Sequence, residues 1–234
     1  MKIALLGYGR MGKAIEKFAL DRGHEVVYTL DKDEVQGELS LADVAINFSI
    51  PQAAVDNIKS ALAQSIPVVC GTTGWLDHYQ EVVDYCKAQQ SGFLYASNFS
   101  IGVNLFFKIN AIAAKLMKPH QENYHPSLEE IHHVHKLDAP SGTALTLAEG
   151  VLSEYNLNGW EHENNTKDKL NIKSIREGEV PGTHTVKYTS SIDEISIKHQ
   201  AFGREGFALG AVVAAEWLAG KQGVYKMDDV LNIS

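Results

Sequence analysis

The chain has 234 residues, a length that suits one large domain or two smaller ones. Its formal net charge of -8 argues against nucleic acid or an anionic membrane as the main partner, and a hydrophobic fraction of 44% is enough for a buried core. Two cysteines, Cys70 and Cys86, are too few for a disulfide framework. The N-terminus does not resemble a signal peptide, and no apolar run approaches the length of a membrane span. We therefore expect a cytoplasmic protein with reduced cysteines.

The first residues follow the order strand, glycine-rich loop, helix, strand and acidic residue. Strands are predicted at 2–6 and 25–30, with a helix at 13–21 between them. The loop is Gly7-Tyr8-Gly9-Arg10-Met11-Gly12, whose glycines allow a tight turn and the close approach of a pyrophosphate to the helix N-terminus. Asp31 follows the second strand, where a carboxylate accepts hydrogen bonds from an adenosine ribose. The pattern predicts a dinucleotide site, and a tight turn without a ligand is the alternative.

The residues after the second strand bear on the choice of cofactor. Asp31 favours NADH because a carboxylate there repels a 2′-phosphate, whereas the neighbouring Lys32 is able to accept that phosphate. We therefore expect NADH and leave NADPH open. Arg10 is either a partner of the pyrophosphate or an ordinary exposed arginine.

Strands and helices continue to alternate up to residue 95. Strands at 44–48, 67–70 and 92–95 are separated by helices at 52–64 and 76–90. This alternation predicts an α/β fold with a Rossmann-type, doubly wound parallel sheet, in which ligands bind at the carboxyl ends of the strands. The loops Gly71–Gly74 and Ala96–Ser100 follow two of those strands, and Gly71 and Thr73 are candidates to approach the nicotinamide half. Ordinary turn chemistry explains each loop taken alone.

The pattern changes near residue 100. We predict helices at 103–117, 141–155 and 207–218, a strand at 127–134, an exposed loop at 156–169, antiparallel strands at 172–176, 182–190 and 193–200, and weakly ordered final residues. The simplest architecture is a dinucleotide-binding domain of residues 1–100 plus 207–234. An α+β, mixed-sheet domain of residues 101–206 is inserted in it for substrate binding and oligomerisation. The inserted sheet has too few helices to cover both faces, which predicts association between sheets.

The central stretch concentrates titratable side chains beside a helix start. His132, His133, His135 and Lys136 precede an Ala-Pro breaker, and a helix begins at Ser141-Gly142-Thr143. His132 and Lys136 are able to carry protons, and the N–H groups that open the helix are able to bind a carboxylate. Structural histidines are the alternative. We expect no metal, because no cysteine or convincing third ligand accompanies the histidines. On a regular strand His132 and His133 point in opposite directions, so a site that uses both requires the backbone to turn.

The segment from His132 to Ala144, HHVHKLDAPSGTA, closely resembles the signature of the 4-hydroxy-tetrahydrodipicolinate reductase family. The resemblance extends to residues 9–12, 71–74 and 97–104, to Arg204, and to the segment around 207–211. It implies a two-domain fold, a homotetramer formed through the substrate-domain sheets, and NAD(P)H-dependent reduction of a cyclic imine dicarboxylate in lysine and diaminopimelate biosynthesis.

The resemblance also implies roles for individual residues. His132 corresponds to the acid/base residue and Lys136 to the proton donor, and the substrate carboxylates are expected at His133, Gly142 and Thr143. The helix start adds the backbone N–H of Ser141 as a further candidate contact. The implied nucleotide contacts are Gly7, Tyr8, Gly9, Arg10, Met11, Gly12, Asp31, Lys32, Gly71, Thr72, Thr73, Ala96, Ser97, Asn98 and Phe99. Many members have a longer first glycine loop and a longer segment between residues 31 and 44, which bears on the cofactor preference.

Two other functions fit the same domain plan. A non-catalytic NAD(P)-sensing regulatory protein would not need the proton-carrying residues, yet His132 and Lys136 are both present. A semialdehyde dehydrogenase would need a nucleophilic cysteine in the second half, and residues 101–234 contain none.

Overall fold

A computed structural model describes residues 1–32, 34–164, 166–203 and 205–233 of the chain, which form two compact units. The first unit comprises Met1–Ile101 and Glu205–Ser234, and the second comprises Gly102–Arg204. The chain therefore leaves the first unit near residue 101 and returns to it near residue 205. Arg204, one of the residues that carry the family resemblance, lies outside the described residues.

The regular elements of the described residues alternate along most of the chain. In order they are β1 (Lys2–Leu6), α1 (Arg10–Asp21), β2 (Glu25–Asp31), β3 (Glu34–Gly37), β4 (Val44–Asn47), α2 (Pro51–Leu62), β5 (Val68–Cys70), α3 (Tyr79–Ala88), β6 (Gly92–Tyr95), α4 (Ile101–Met117), β7 (His125–His132), α5 (Gly142–Leu152), β8 (Trp160–His162), β9 (Leu170–Arg176), β10 (Thr183–Thr189), β11 (Glu194–Gln200), α6 (Glu205–Leu218), β12 (Gly223–Tyr225) and α7 (Met227–Leu231). No helix among them is both long enough and apolar enough to cross a membrane.

The first unit is organised around a sheet in the order β12-β6-β5-β4-β1-β2-β3. All neighbours pair in parallel except β3, which runs antiparallel to β2. Alternate residues of β1 enter different cores: Ile3 and Leu5 pack on the side of α1 and α6, and Ala4 and Leu6 pack on the side of α2. Both faces of the sheet are therefore covered, which confirms the predicted α/β fold with a Rossmann-type sheet.

Three parts of the first unit differ from the sequence prediction. The antiparallel strand β3 was not predicted, and the final residues form β12 and α7 where weak order was expected. A separate 3₁₀ turn at Leu76–His78 precedes α3, where one continuous helix was predicted. Strand β12 is only three residues long and pairs with β6, more than one hundred residues earlier, so local patterning gave no indication of it.

The second unit contains a mixed five-stranded sheet in the order β11-β10-β7-β9-β8. Strand β9 lies parallel to β7, whereas β10 runs antiparallel to both of its neighbours. The expectation that β9 belongs to an antiparallel set is therefore wrong, and β8 lies inside the segment predicted to be a loop. The mixed α+β character of the unit is as predicted.

Helix α5 covers one face of this sheet. Its buried residues Ala144, Leu147, Ala148 and Val151 pack against Leu128, Ile172, Val186 and Tyr188 of the strands. On the other face, Glu129 and Ile131 of β7 are only partly buried within the chain, whereas Thr183 and Thr185 of β10 are buried. One face of the sheet is thus covered by a helix, and the other, called the open face below, is partly exposed.

Candidate active site

In the first unit, the three glycines of the loop between β1 and α1 serve different purposes. Gly7 has a φ of +105°, and a Cβ there would lie 2.3 Å from the carbonyl oxygen of Phe48. A Cβ on Gly12 would lie 2.3 Å from the carbonyl oxygen of Gly7, so the helix and strand pack closely only with glycine. Gly9 is the N-cap of α1, and a Cβ there would meet nothing within 4 Å. The first and third glycines shape the turn, and the second leaves the helix N-terminus open to an anion.

A groove of about 240 Å³ lies beside this loop, at the carboxyl ends of β1, β2 and β4. Asp31, the last residue of β2, and Lys32, which has a φ of +53° in the turn to β3, both line it. The remaining lining residues are Gly7, Gly9, Leu30, Phe48, Ser49, Ile50, Ala53 and Asn57. A carboxylate, a lysine and an open helix N-terminus around one groove fit the adenosine and pyrophosphate parts of a dinucleotide.

Other side chains of the glycine loop have structural partners. The hydroxyl group of Tyr8 donates a hydrogen bond to Glu16, which raises the pKa of Tyr8, and Met11 packs on the core. Arg10 is the first residue of α1 and is exposed. Arg10 thus remains available to a ligand, whereas Tyr8 and Met11 would contact one through their backbone.

Gly71, in the loop after β5, packs against the ring of Phe48, which lines the groove. A Cβ on Gly71 would lie 2.1 Å from the Phe48 ring, which itself lines the groove. The Thr72 hydroxyl accepts a hydrogen bond from the Ser49 N–H at 2.9 Å, and the Thr72 carbonyl accepts one from the Trp75 indole at 2.6 Å. Thr72 is buried and holds the loop together, while Thr73 is exposed.

The loop after β6 combines buried and accessible residues. The Ala96 N–H donates to the Cys70 carbonyl at 3.2 Å, and Asn98 Oδ1 accepts from the Ser100 N–H at 2.9 Å. Phe99 is 1% exposed, and a Cβ on Gly210 would lie 1.8 Å from its carbonyl oxygen. The Phe99 side chain therefore belongs to the core, whereas Ser97 is exposed and Asn98 is half-buried.

In the second unit, strand β7 ends at His132, two residues earlier than predicted. The Glu177 N–H still bonds the His132 carbonyl at 2.8 Å, and the Val134 N–H bonds the Gly178 carbonyl at 3.1 Å. Because the regular strand stops at His132, the alternation that would point His133 to the opposite face no longer applies. The His133 ring lies 6.1 Å from that of His135, and its Nδ1 is buried with no hydrogen-bond partner among the described residues.

Lys136 lies in the loop that follows. Its ammonium group contacts both carboxylate oxygens of Asp138, at 2.8 and 2.9 Å, and this hydrogen bond lowers the pKa of Asp138. Arg176 of β9 secures the same loop by donating to the carbonyl oxygens of Lys136 at 3.2 Å and Asp138 at 2.6 Å. The lysine is thus presented from a loop that is fixed at two carbonyl groups.

Helix α5 begins as predicted, with Ser141 as its N-cap. The Ser141 hydroxyl accepts a hydrogen bond from the Ala144 N–H at 3.2 Å, and the Ser141 N–H donates to the carboxylate of Glu130. A Cβ on Gly142 would meet nothing within 4 Å. Among the described residues, no acceptor forms a hydrogen bond with the backbone N–H of Gly142 or of Thr143. They can bind an anion there.

Behind the helix start lies a buried cluster of Glu130, His132 and His184. Glu130 is 0% exposed, and its Oε2 lies 3.4 Å from His132 Nδ1 and 3.6 Å from His184 Nε2. His184 shares a 3.1 Å hydrogen bond with the Ser141 hydroxyl, and the two imidazole rings lie 5.0 Å apart. The cluster joins strands β7 and β10 to the first turn of α5.

Burial sets the protonation state of this cluster. It lowers the pKa of His132 to about 4, with a further contribution from His184, so that His132 is neutral near pH 7. Burial alone would raise the pKa of Glu130, but its contacts with His184, Ser141 and Ser174 outweigh that effect and hold the pKa well below the ordinary value. Glu130 is therefore a buried carboxylate beside two imidazoles.

Two family models cover nearly the whole chain. The model described as "Dihydrodipicolinate reductase, N-terminus" matches residues 1–99, and "Dihydrodipicolinate reductase, C-terminus" matches residues 102–231. The chain belongs to the dihydrodipicolinate reductase family. Members of this family are NAD(P)H-dependent reductases, so the prediction of an enzyme is confirmed and the alternative of a non-catalytic sensor is not supported.

Individual relatives agree with the family assignment. The chain is 52% identical over 235 residues to the 4-hydroxy-tetrahydrodipicolinate reductase of Christiangramia forsetii, with 99% of this chain and 98% of the relative covered. It is 36% identical to the protein of the same name from Archaeoglobus fulgidus, with 99% and 100% covered. A dipicolinate-bound dihydrodipicolinate reductase from Paenisporosarcina sp. TG-14 shares the fold, with a TM-score of 0.79, 21% identity and 97% of each chain covered.

Sequence reasoning missed the groups that surround the family signature. Glu130, His184, Arg176 and Asp138 are all in contact with predicted site residues, yet none was named as one. The available signal was the spacing of Glu130 and His132, which places both on one face of β7.

Glu130, His132 and His184 also have the composition of a metal site, with ligand atoms within 4.8 Å of one another. Glu130 already accepts hydrogen bonds from Ser141 and Ser174 and lies 3.4 Å from the Arg176 guanidinium. A hydrogen-bonded network accounts for these contacts, and a neighbouring guanidinium disfavours a cation.

Proposed function

We propose that the protein reduces 4-hydroxy-tetrahydrodipicolinate, a cyclic imine dicarboxylate, to tetrahydrodipicolinate with NAD(P)H in lysine and diaminopimelate biosynthesis. The observation that carries the proposal is the 52% identity to a reductase of that name over 99% of this chain. The polar groups of the second unit support it, because they combine a proton donor with an anion-binding helix start.

Recognition of the substrate is assigned to the start of α5. The N–H groups of Gly142 and Thr143 receive one substrate carboxylate, and His133 contributes its buried, unpartnered ring nitrogen. Ser141 was also predicted as a substrate contact, but its N–H bonds Glu130 and its hydroxyl caps the helix. Its contribution is therefore to hold the two following residues in place.

Lys136 is the better proton donor of the two predicted catalytic residues. When bound, NAD(P)H supplies the hydride that reduces the substrate ring, and the substrate hydroxyl is lost as water. Lys136 delivers a proton to the anion that hydride addition leaves, because its ammonium group is charged and held by Asp138. His132 has a pKa of about 4, so near pH 7 it acts as a neutral hydrogen-bonding group in the resting protein.

The preferred dinucleotide is NADH. Asp31 lines the groove at the end of β2, where a carboxylate binds the ribose diol and repels a 2′-phosphate. Lys32 lines the same groove and provides a cation for NADPH, so both nucleotides are substrates and NADH is favoured.

The open face of the second unit's sheet supports a homotetramer formed through that face. Glu129, Ile131 and Lys173 on this face are partly or fully exposed within one chain. A single-chain mass in light scattering would contradict this arrangement.

We also assign the protein to the cytoplasm, in agreement with two free, buried cysteines, and fractionation of cells tests this assignment.

The direct test is an assay of NADH and NADPH consumption with freshly generated 4-hydroxy-tetrahydrodipicolinate. The proposal requires substrate-dependent oxidation of at least one nucleotide and a higher kcat/KM with NADH. Absence of oxidation with both nucleotides would overturn the assigned reaction, whereas a higher kcat/KM with NADPH would overturn only the cofactor preference.

A further inference from the structure

Glu130 is a buried carboxylate that has no role in the reaction assigned above. It lies on β7, two residues before His132, and is 0% exposed. Its two oxygens each lie 3.1 Å from the Ser141 N–H, and Oε1 accepts a 2.8 Å hydrogen bond from the Ser174 hydroxyl. A buried charge is costly to a fold unless its environment compensates it, and here backbone and side-chain donors do so.

The position of Glu130 follows from the register of the sheet. Glu130 pairs with Ser174 on β9 and with His184 on β10, so these three residues form one row on the face that α5 covers. His184 in turn shares a hydrogen bond with the Ser141 hydroxyl. Ser141 is therefore contacted twice from this row. Glu130 accepts from its backbone N–H, and His184 shares a hydrogen bond with its hydroxyl group.

Ser141 is the residue that precedes the anion-binding turn. Its N–H and hydroxyl are both engaged from the sheet side, and the next two residues, Gly142 and Thr143, begin the helix. Any shift of Ser141 is transmitted to these two residues because they follow directly in the chain. The placement of the N–H groups assigned to the substrate carboxylate thus depends on the Glu130 carboxylate.

We propose that Glu130 is a positioning residue that fixes the start of α5 for binding of the substrate carboxylate. The proposal rests on the function assigned above to Gly142 and Thr143. Glutamine removes the charge, and its NH₂ group would stand where one of the two carboxylate oxygens now accepts from the Ser141 N–H. Aspartate keeps the charge but is shorter by one methylene group.

An exposed glutamate of the same unit provides a matched control. Glu149 lies on α5 and is exposed. Glu149→Gln removes the same charge without contact to Ser141. An effect of net charge alone would appear in both variants.

The test measures binding of dipicolinate, an unreactive planar dicarboxylate, and of NADH to the full-length protein by calorimetry. For Glu130→Gln we expect about tenfold or greater weakening of dipicolinate binding and a similar rise in substrate KM, with NADH affinity unchanged within about twofold. Glu149→Gln should match the unsubstituted protein. Ser174→Ala, which removes one donor to Glu130 and leaves the carboxylate in place, should give a smaller change in the same direction.

The outcomes distinguish failure of the positioning role of Glu130 from failure of the assigned function. Unchanged dipicolinate affinity in Glu130→Gln overturns the positioning role, as does an equal loss of NADH affinity, which would indicate a general structural defect. If Glu130→Gln does not fold, an unchanged dipicolinate affinity in Ser174→Ala overturns the role. If the unsubstituted protein neither binds dipicolinate nor turns over the substrate, the assigned function itself fails.

Discussion

His132 and Lys136 lie four residues apart but are in different electrostatic environments. His132 is buried beside His184 and Glu130, which keeps its pKa at about 4. Lys136 extends from a loop and contacts the Asp138 carboxylate. Under the proposed function this difference favours Lys136 as the proton donor, with His132 as a neutral group.

Replacing Lys136 therefore affects chemistry more than binding. In Lys136→Ala we expect kcat to fall by about 10²- to 10⁴-fold, the usual contribution of a positioned proton donor. NADH affinity, measured by fluorescence titration, should not change. Lys115→Ala, which removes an exposed lysine of α4 in the same unit, serves as the control. Equal losses of turnover and NADH affinity would contradict the assignment.

The depressed pKa of His132 also makes folding stability depend on pH. The unfolded chain binds a proton at this histidine near its ordinary pKa of about 6.5, but the folded chain does so only near 4. The contribution of His132 to the free energy of unfolding is fully present above pH 6.5 and is lost as the pH falls toward 4. Its slope is at most about 1.4 kcal/mol per pH unit.

Chemical denaturation between pH 6.5 and 5 reports on this contribution, because the pKa of Glu130 lies below that window. His199 has a lowered pKa as well and adds a slope of the same sign. We expect the free energy of unfolding to fall less steeply with decreasing pH in His132→Gln than in the unsubstituted protein. Identical slopes would contradict a neutral, buried His132.

At the scale of elements, strongly patterned segments were predicted well. Strand β1 is a continuous apolar run that is buried on both faces, and the helix after the glycine loop buries Gly12, Ile15 and Ala19 on one side. Such signals lie within a few consecutive residues. They identify the Rossmann-type sheet without knowledge of any distant contact.

Several of the missed features depend on pairing between distant segments. Strand β12 is stabilised by β6, and the direction of β9 is set by its parallel pairing with β7. The register that brings His184 opposite Glu130 is likewise invisible in either strand alone. Sequence reasoning therefore identified the residues of the signature itself but not the network behind it.

The hairpin of β2 and β3 allows a prediction about cofactor choice. It places Asp31 opposite Glu34, and Asp31 and Lys32 line the groove. Asp31→Ser should lower kcat/KM with NADH and raise it with NADPH, changing their ratio by about tenfold, because repulsion of the 2′-phosphate is removed. Lys32→Ala should change the ratio in the opposite direction. A ratio unaffected by both substitutions would exclude the hairpin from cofactor selection.

For the whole molecule, the two units provide different parts of the chemistry. The first has the glycine loop and the groove with Asp31, and the second has Lys136 and the anion-binding start of α5. Family membership extends over both units, with matches to residues 1–99 and 102–231. The proposed reduction uses groups from both units.

Transfer of deuterium tests this account most directly. The protein is incubated with freshly generated 4-hydroxy-tetrahydrodipicolinate and NADH that carries deuterium at the transferring position of the nicotinamide, and the product is analysed by mass spectrometry. We predict one deuterium atom in tetrahydrodipicolinate, formed together with oxidised nucleotide. Product without deuterium, or no product although both ligands bind, would contradict the account.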